Sequence, residues 1–222
     1  MNTQIRLLVF DWDGTLVNSL ARIVASVHHA TDLCGLKRCT DAEVHSIIGL
    51  SLKHAFLRLY PEPGQARLYD TFRQAYSAHY LEQEQDPSPF YPGVRDVLEN
   101  FRCAGYLLAV ATGKSRQGLD RILQSHGMQD FFDITRCADE TRSKPDPLML
   151  QEILAHCAQP AHKAIMVGDS TFDLQMANRA SIAPVAVSYG AQPLDVLQQE
   201  HPVLAIDHFT QLQDWPIPSP SY

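Results

Sequence analysis

The run Ile5-Arg6-Leu7-Leu8-Val9-Phe10 ends in Asp11-Trp12-Asp13-Gly14-Thr15-Leu16. A short, largely apolar run suits a strand covered on both faces of a parallel sheet; a half-exposed strand would alternate. Its last residue is followed at once by a carboxylate, which is costly to desolvate without a partner. Ligands of open parallel sheets gather at the carboxyl ends of the strands. Asp11 and Asp13 are therefore candidate site residues, and Gly14 permits a sharp turn that other residues resist. One carboxylate there can attack an electrophile. A second, differently solvated, can move protons. Two so close repel, and a hard divalent cation held by oxygen ligands relieves the repulsion, which suggests Mg2+. An ordinary Asp-Gly turn is the competing explanation, and the rest of the chain decides between them.

After Leu16 the pattern turns helical. Ser19 is placed to cap a helix carrying Leu20, Ile23, Val24, Val27 and Leu33, with Gly35 as its stop. Thr40, with Glu43 three residues on, predicts a capping box and a second helix through Ile47-Ile48, ended by Gly49. A third helix is expected over Leu52 to Tyr60, before Pro61-Glu62-Pro63-Gly64, and a fourth from Gln65 to Gln83. No strand signal occurs from residue 17 to residue 85.

Asp86-Pro87-Ser88-Pro89-Phe90-Tyr91-Pro92-Gly93 reads as a linker. Beyond it helices and strands alternate. Helices are expected at Val94 to Cys103, Ser115 to His126, Pro147 to Cys157 and Phe172 to Ala180, with shorter ones opening at Pro193 and near Phe209 to Leu212. Strands are expected at Leu107 to Ala111, within Phe131 to Cys137, at Ala164 to Val167, at Ala183 to Val187 and at Val203 to Ile206. The proline-rich tail from Pro216 is expected to be disordered. Such alternation implies an α/β fold, a parallel sheet with helices on both faces. The helical block is then an insert at the carboxyl end of the first strand. The expected division is residues 1–16 and 89–222 as the α/β core and 17–88 as an all-helical cap. The two chain crossings, near Val17-Asn18 and near residues 86–92, would be hinges and the block a lid.

Composition closes off several classes. The chain of 222 residues carries a formal net charge of −7, which argues against general binding to nucleic acid or anionic membranes. No apolar run nears the roughly 18 residues that span a bilayer, and the N-terminus leads straight into the first strand with no room for a signal peptide. The five cysteines, Cys34, Cys39, Cys103, Cys137 and Cys157, are odd in number and scattered. They read as reduced thiols, mostly core filler, in a cytoplasmic protein. The ten histidines include His28-His29 but show no metal-ligand spacing.

Three more candidate pieces follow strands. Thr112-Gly113-Lys114 offers a hydroxyl and backbone amides that can hold phosphate oxygens, although a loop with a helix cap would look the same. Ser143-Lys144-Pro145-Asp146-Pro147 pins Lys144 between turn-forming residues, where an ammonium beside a carboxylate nucleophile would neutralise phosphoryl charge; alone it is a common turn. Gly168-Asp169-Ser170-Thr171-Phe172-Asp173 supplies two carboxylates one helical turn apart. The helix dipole accounts for an acidic Asp173, but not for Asp169 at a strand end. All four pieces fall at one edge of one sheet.

In that order, Asp-x-Asp-Gly-Thr, Thr-Gly-Lys, Lys-Pro-x-Pro and Gly-Asp-x-x-x-Asp, the sequence resembles the haloacid dehalogenase superfamily over residues 5 to 190, in its phosphatase branch with a helical cap. Asp-Gly-Thr-Leu-Val-x-Ser, Tyr-Pro-Gly-Val after the cap and Ala-Thr-Gly-Lys make it most similar to the phosphoglycolate phosphatase-like group. The resemblance implies a Rossmann-like core and a phosphoric monoester hydrolase. Asp11 would be the nucleophile and Asp13 the acid and base. Thr112 and the Gly113 amide would hold phosphate oxygens, and Lys144 would steady the nucleophile and the transferring group. Mg2+ would be bound by Asp11, the Asp13 backbone carbonyl and Asp169, with Asp173 acting through water or by orienting Lys144. The expected partner is a small phosphorylated metabolite, phosphoglycolate first, with sugar phosphates and nucleoside monophosphates close behind. Neither nucleic acid nor membrane is expected, and the protein would work as a monomer or a homodimer.

Within the superfamily, Asp13 disfavours dehalogenases, phosphonatases (despite Lys53 in the cap) and transporting ATPases, and Thr15 favours a phosphatase over a sugar phosphomutase. The mutase and a non-catalytic binding protein on the same fold are the alternatives. Asn18 departs from the aspartate of many relatives at the hinge. Arg22, His28, Lys53, His54 and Arg58 of the cap read equally well as ordinary solvated helix residues.

Overall fold

The first strand, β1 (Leu7–Phe10), is buried along its whole length. In the computed structural model, which describes residues 5–85 and 87–214, it lies at the centre of a six-stranded sheet. The other strands are β2 (Leu107–Thr112), β3 (Ile134–Cys137), β4 (Ala164–Gly168), β5 (Ala183–Val187) and β6 (Leu204–Ile206). All are parallel, in the order β3-β2-β1-β4-β5-β6. Residues 1–4, Asp86 of the expected linker and the proline-rich tail from residue 215 lie outside the described residues.

Alternate residues of β1 serve two separate cores. Leu8 and Phe10 pack with Val94, Val97, Leu98 and Phe101 of α5 (Val94–Cys103) and with Leu119 and Ile122 of α6 (Arg116–Ser125). Leu7 and Val9 pack on the opposite face with Met149, Leu150 and Ile153 of α7 (Leu148–His156) and Met176 and Ala177 of α8 (Thr171–Arg179). The continuous apolar run is thus the signature of a strand with no solvent face. Each such side chain contributes about 1.5–3 kcal/mol by burial. A last short helix, α9 (Leu194–Leu197), follows β5.

Between β1 and α5 lie four helices, α1 (Leu20–Leu33), α2 (Asp41–His45), α3 (Leu52–Leu59) and α4 (Tyr69–Glu82). They enclose a third core that includes Val24, Val27, Val44, Phe56 and Phe72. Where the chain leaves and re-enters the sheet region it pairs with itself. The Asn18 N–H donates to the Pro89 carbonyl at 2.9 Å, and the Tyr91 N–H to the Leu16 carbonyl at 3.0 Å. Asn18 stands at this crossing, as expected from the sequence.

The elements follow the sequence closely, with instructive departures. Thr40 and Glu43 form the expected capping box, but α2 stops at His45 rather than Ile48. The Ser46 hydroxyl donates to the Glu43 carbonyl at 2.7 Å, and Ile47 and Ile48 make tighter bonds to Val44 and His45. Side-chain competition of this kind ends helices. The fourth helix begins and ends as 3-10 turns, Ala66–Leu68 and Gln83–Gln85. No side chain caps its start, and an uncapped first turn tightens this way. Phe209–Gln213 is likewise 3-10. The cysteines are all free thiols, but only Cys137 is buried, so core filling describes one of the five. Among the described residues no helix is long and apolar enough to cross a membrane.

Candidate active site

β1 and β4 are neighbours, and the chain runs outward from them in opposite directions along the sheet. This is the switch point at which parallel sheets open a crevice. Asp11 follows β1, and its N–H donates to the Val167 carbonyl of β4 at 3.0 Å. Asp169 follows β4, and Asp173 sits in the first turn of α8. One carboxylate oxygen from each of the three lies within 4.8 Å of the others, and all three residues are buried.

A single ammonium enters this cluster. Lys144 is buried, with Nζ 2.7 Å from Asp11 Oδ1 and donating to Asp173 Oδ1 at 2.6 Å. The Lys144–Pro145 peptide is cis. Ser170 and Asp173 form a reciprocal cap: the Ser170 N–H and hydroxyl donate to Asp173 Oδ2 at 3.1 and 2.6 Å. Asp173 is thus held from behind while its other oxygen orients the lysine. Asp169 accepts from the Thr15 hydroxyl at 2.9 Å and from the Ala191 N–H at 2.7 Å. Asp11 Oδ2 has no hydrogen-bond partner among the described residues.

Three carboxylates against one ammonium leave an excess of two negative charges. Burial raises the Asp11 pKa well above the usual carboxylate range; Lys144 opposes this, and Asp173 and Asp169 reinforce it. Burial, then Asp173, pushes Asp169 up to about 7, against the bonds from Ala191 and Thr15. Burial pulls the Lys144 ammonium toward neutrality, but Asp11 and Asp173 outweigh it, so its pKa rises and the charge is kept. A divalent cation would remove the excess and satisfy the orphaned Asp11 oxygen, so the donor set fits a hard metal ion.

Gly14 makes the approach of the β1 loop to Asp169 feasible. It has φ +78°, and a Cβ there would fall 2.1 Å from Asp169 Oδ2. Asp13 is not one of the three clustered carboxylates. Its Oδ1 accepts from the Ser19 hydroxyl at 2.5 Å, and its Oδ2 lies 3.0 Å from Lys114 Nζ. Ser19 does occupy the N-cap position of α1, but its side chain serves Asp13 instead of the helix amides.

Thr112, at the end of β2, and Gly113 line a cavity of about 610 Å³ together with Asp11 and Asp13. The helical block closes over it. A Cβ on Gly113 would come within 2.5 Å of the Leu50 carbonyl oxygen, and the Ser51 N–H donates to Ser143 Oγ at 2.9 Å. Of the cap residues singled out by sequence, Lys53 and His54 line the cavity, both exposed. His28 pairs with Asp41 at 2.7 Å, while Arg22 and Arg58 lie over the Tyr80 and Phe172 rings.

Several site residues carried no readable sign in the sequence. Lys114 was visible only as the tail of a phosphate-loop motif. Thr15 was legible as a mark of the phosphatase branch but not as a donor to Asp169, and Ser170 looks like an ordinary cap residue. Tyr76 and Tyr80, both lining the cavity, recur at the spacing of any core-facing helix stripe.

Residues 8–187 match the haloacid dehalogenase-like hydrolase family. The chain belongs to that family. It is 31% identical to the probable phosphatase IndB of Dickeya dadantii, over 93% of this chain and 91% of the relative. It is also 31% identical to the phosphoglycolate phosphatase of Vibrio vulnificus strain CMCP6, over 95% and 96% of the two chains. Among solved structures, "a predicted phosphoglycolate phosphatase" of Haemophilus somnus superposes with a TM-score of 0.83 at 26% identity, covering 96% of this chain and 99% of that one. These similarities place the chain among the phosphatases of the family, and α1–α4 stand where the family carries its helical cap.

Proposed function

We propose that the protein is a Mg2+-dependent phosphatase that hydrolyses a small phosphomonoester by transferring its phosphoryl group to Asp11. The observation that carries this reading is the free, buried Asp11 Oδ2 beside Asp169, Asp173 and Lys144. A carboxylate oxygen of Asp11 attacks phosphorus while the ester P–O bond breaks. Asp13 gives a proton to the departing alcohol oxygen, then takes one from the water that attacks the aspartyl phosphate. Inorganic phosphate leaves and Asp11 is restored. Thr112 Oγ1 and the Gly113 N–H hold phosphate oxygens, and Lys144 offsets their charge. Asp11, Asp169 and the Asp13 carbonyl would hold Mg2+, with Asp173 behind them. When bound, the ion supplies further neutralisation of the phosphoryl oxygens.

Residues 17–88 act in this reading as a cap over the core formed by 1–16 and 89–222. Seating of the Gly49–Ser51 segment on Gly113 and Ser143 shuts out bulk water. Several relatives are phosphoglycolate phosphatases, which makes phosphoglycolate the reference substrate. The test is inorganic phosphate release from a panel of phosphomonoesters, with Mg2+ and with excess chelator. The reading expects metal-dependent release. Isomerised sugar phosphate with little free phosphate would identify a mutase instead, and no turnover at all would refute the proposal.

A further inference from the structure

The cavity over Asp11 extends far beyond the carboxylates. Its volume of about 610 Å³ lies within the range of roughly 300–1,000 Å³ that encloses a drug-sized ligand. Phosphoglycolate, with a two-carbon alcohol portion, would leave most of it empty. Past Asp11 and Asp13 one part of the lining is apolar and aromatic: Ile23 and Val27 of α1, Ile47 and Ile48 before α3, and Tyr76 and Tyr80 of α4. Lys114 and Arg121 line the cavity too, and each is already paired with a carboxylate, Asp13 and Glu84 respectively. The two tyrosine rings stack, 5.8 Å apart at 26°.

Glu84 lines the same cavity from the 3-10 turn after α4. Its Oε2 accepts from Arg121 Nε at 3.3 Å. Its Oε1 is buried and has no hydrogen-bond partner among the described residues. A buried acceptor left unpaired is costly and rare. A ligand hydroxyl or N–H would satisfy it, whereas a ligand carboxylate would be repelled. Lys53 and Arg73 also line the cavity, but both are exposed.

Resting on the phosphatase reading, we propose that the preferred substrate is the phosphomonoester of a ring-bearing alcohol that carries hydroxyl or N–H donors. Its ring packs on the Tyr76–Tyr80 wall, and a donor reaches Glu84 Oε1. The glycolate ester is then a poor fit on two counts, because it has no ring and presents a carboxylate toward a carboxylate.

The experiment compares kcat/KM for adenosine and uridine 5′-monophosphates with kcat/KM for phosphoglycolate, with Mg2+ present. It does so in the wild type and in Tyr76→Ala, Glu84→Met and Arg73→Ala. Taking the ratio within each variant cancels any general loss from misfolding. At least one nucleotide is expected to be favoured by about tenfold or more, and Tyr76→Ala and Glu84→Met are each expected to shrink that ratio roughly five- to tenfold. Equal or better turnover of phosphoglycolate would overturn the proposal. So would a ratio unmoved by both substitutions. A phosphoglycolate preference lost in Arg73→Ala would overturn it in favour of carboxylate recognition. Absence of phosphate release from every substrate, p-nitrophenyl phosphate included, would instead sink the phosphatase reading on which it rests.

Discussion

Lys114 Nζ lies 3.0 Å from Asp13 Oδ2 and donates to Tyr80 Oη at 3.2 Å, so one ammonium joins the Asp13 carboxylate to helix α4. The Tyr80 ring also lies beneath it, 4.8 Å from the centroid. Burial pulls the Lys114 pKa down, but Asp13 first and the Tyr80 phenol second more than reverse this, and the ammonium is kept charged. Asp13 is thereby held by Ser19 on one oxygen and Lys114 on the other.

Loss of Lys114 should therefore show in the chemistry of the leaving group. Lys114→Met is expected to lower kcat for alkyl phosphates by about 10²-fold, the scale of general acid–base catalysis. The loss should be several-fold smaller for p-nitrophenyl phosphate, whose leaving group needs little protonation. An equal loss on both substrates would mean that Lys114 serves the structure and not Asp13.

The carboxylate cluster makes stability depend on pH and metal together. Asp169 titrates near 7 in the fold against 3.8 for the free side chain, so the folded protein holds its proton more tightly than the unfolded chain does. That contribution is present at low pH and is lost as pH rises from about 4 through 7. Without metal, the melting temperature should fall across this window, and Asp169→Asn should flatten the fall. Mg2+ should raise the melting temperature more at pH 8 than at pH 5, since it binds the ionised cluster. Equal stabilisation at both pH values would contradict the assignment of these carboxylates as ligands.

Gly14→Ala places a Cβ on Asp169 at a residue with positive φ. Strain of this kind costs about 1–3 kcal/mol. The melting temperature should drop by several degrees, and apparent Mg2+ affinity should weaken with it. A variant of wild-type stability with unchanged metal dependence would show that the β1 loop is not seated on Asp169.

How far the sequence discloses the molecule depends on whether the information is local. The apolar run of β1, the amphipathic face of α5 and the Thr40–Glu43 box are local patterns, and each forms where expected. Asp11, Asp13 and Asp169 could be picked out because buried strands ending in charge demand a reason, and Lys144 because its Lys-Pro-x-Pro turn falls in order with them. The pairing of Lys144 with Asp173 spans 29 positions, and that of Thr15 with Asp169 spans 154. No periodicity encodes such contacts, which exist only once the strands are ordered side by side. Ser19 misleads for the opposite reason: its local pattern is that of a helix cap, but its hydroxyl is turned to donate to Asp13 and accepts no helix amide. Lys114 and Tyr80 meet across 34 positions, another contact with no local signature.

Gly113→Ala tests that seating. The added methyl group meets the Leu50 carbonyl in the closed arrangement while the sheet beneath is untouched. The expected outcome is a fall in kcat/KM of about tenfold or more with a melting temperature within a few degrees of wild type. Wild-type kinetics would mean that the Leu50 segment does not approach Gly113 during turnover.

The central claim is that Asp11 is the phosphoryl acceptor. Its most direct test is Mg2+-supported phosphate release by Asp11→Asn beside wild type, with circular dichroism confirming the fold of both. The account predicts a loss of at least about 10³-fold for this isosteric change. Release within a few-fold of wild type, from a folded variant, would contradict it.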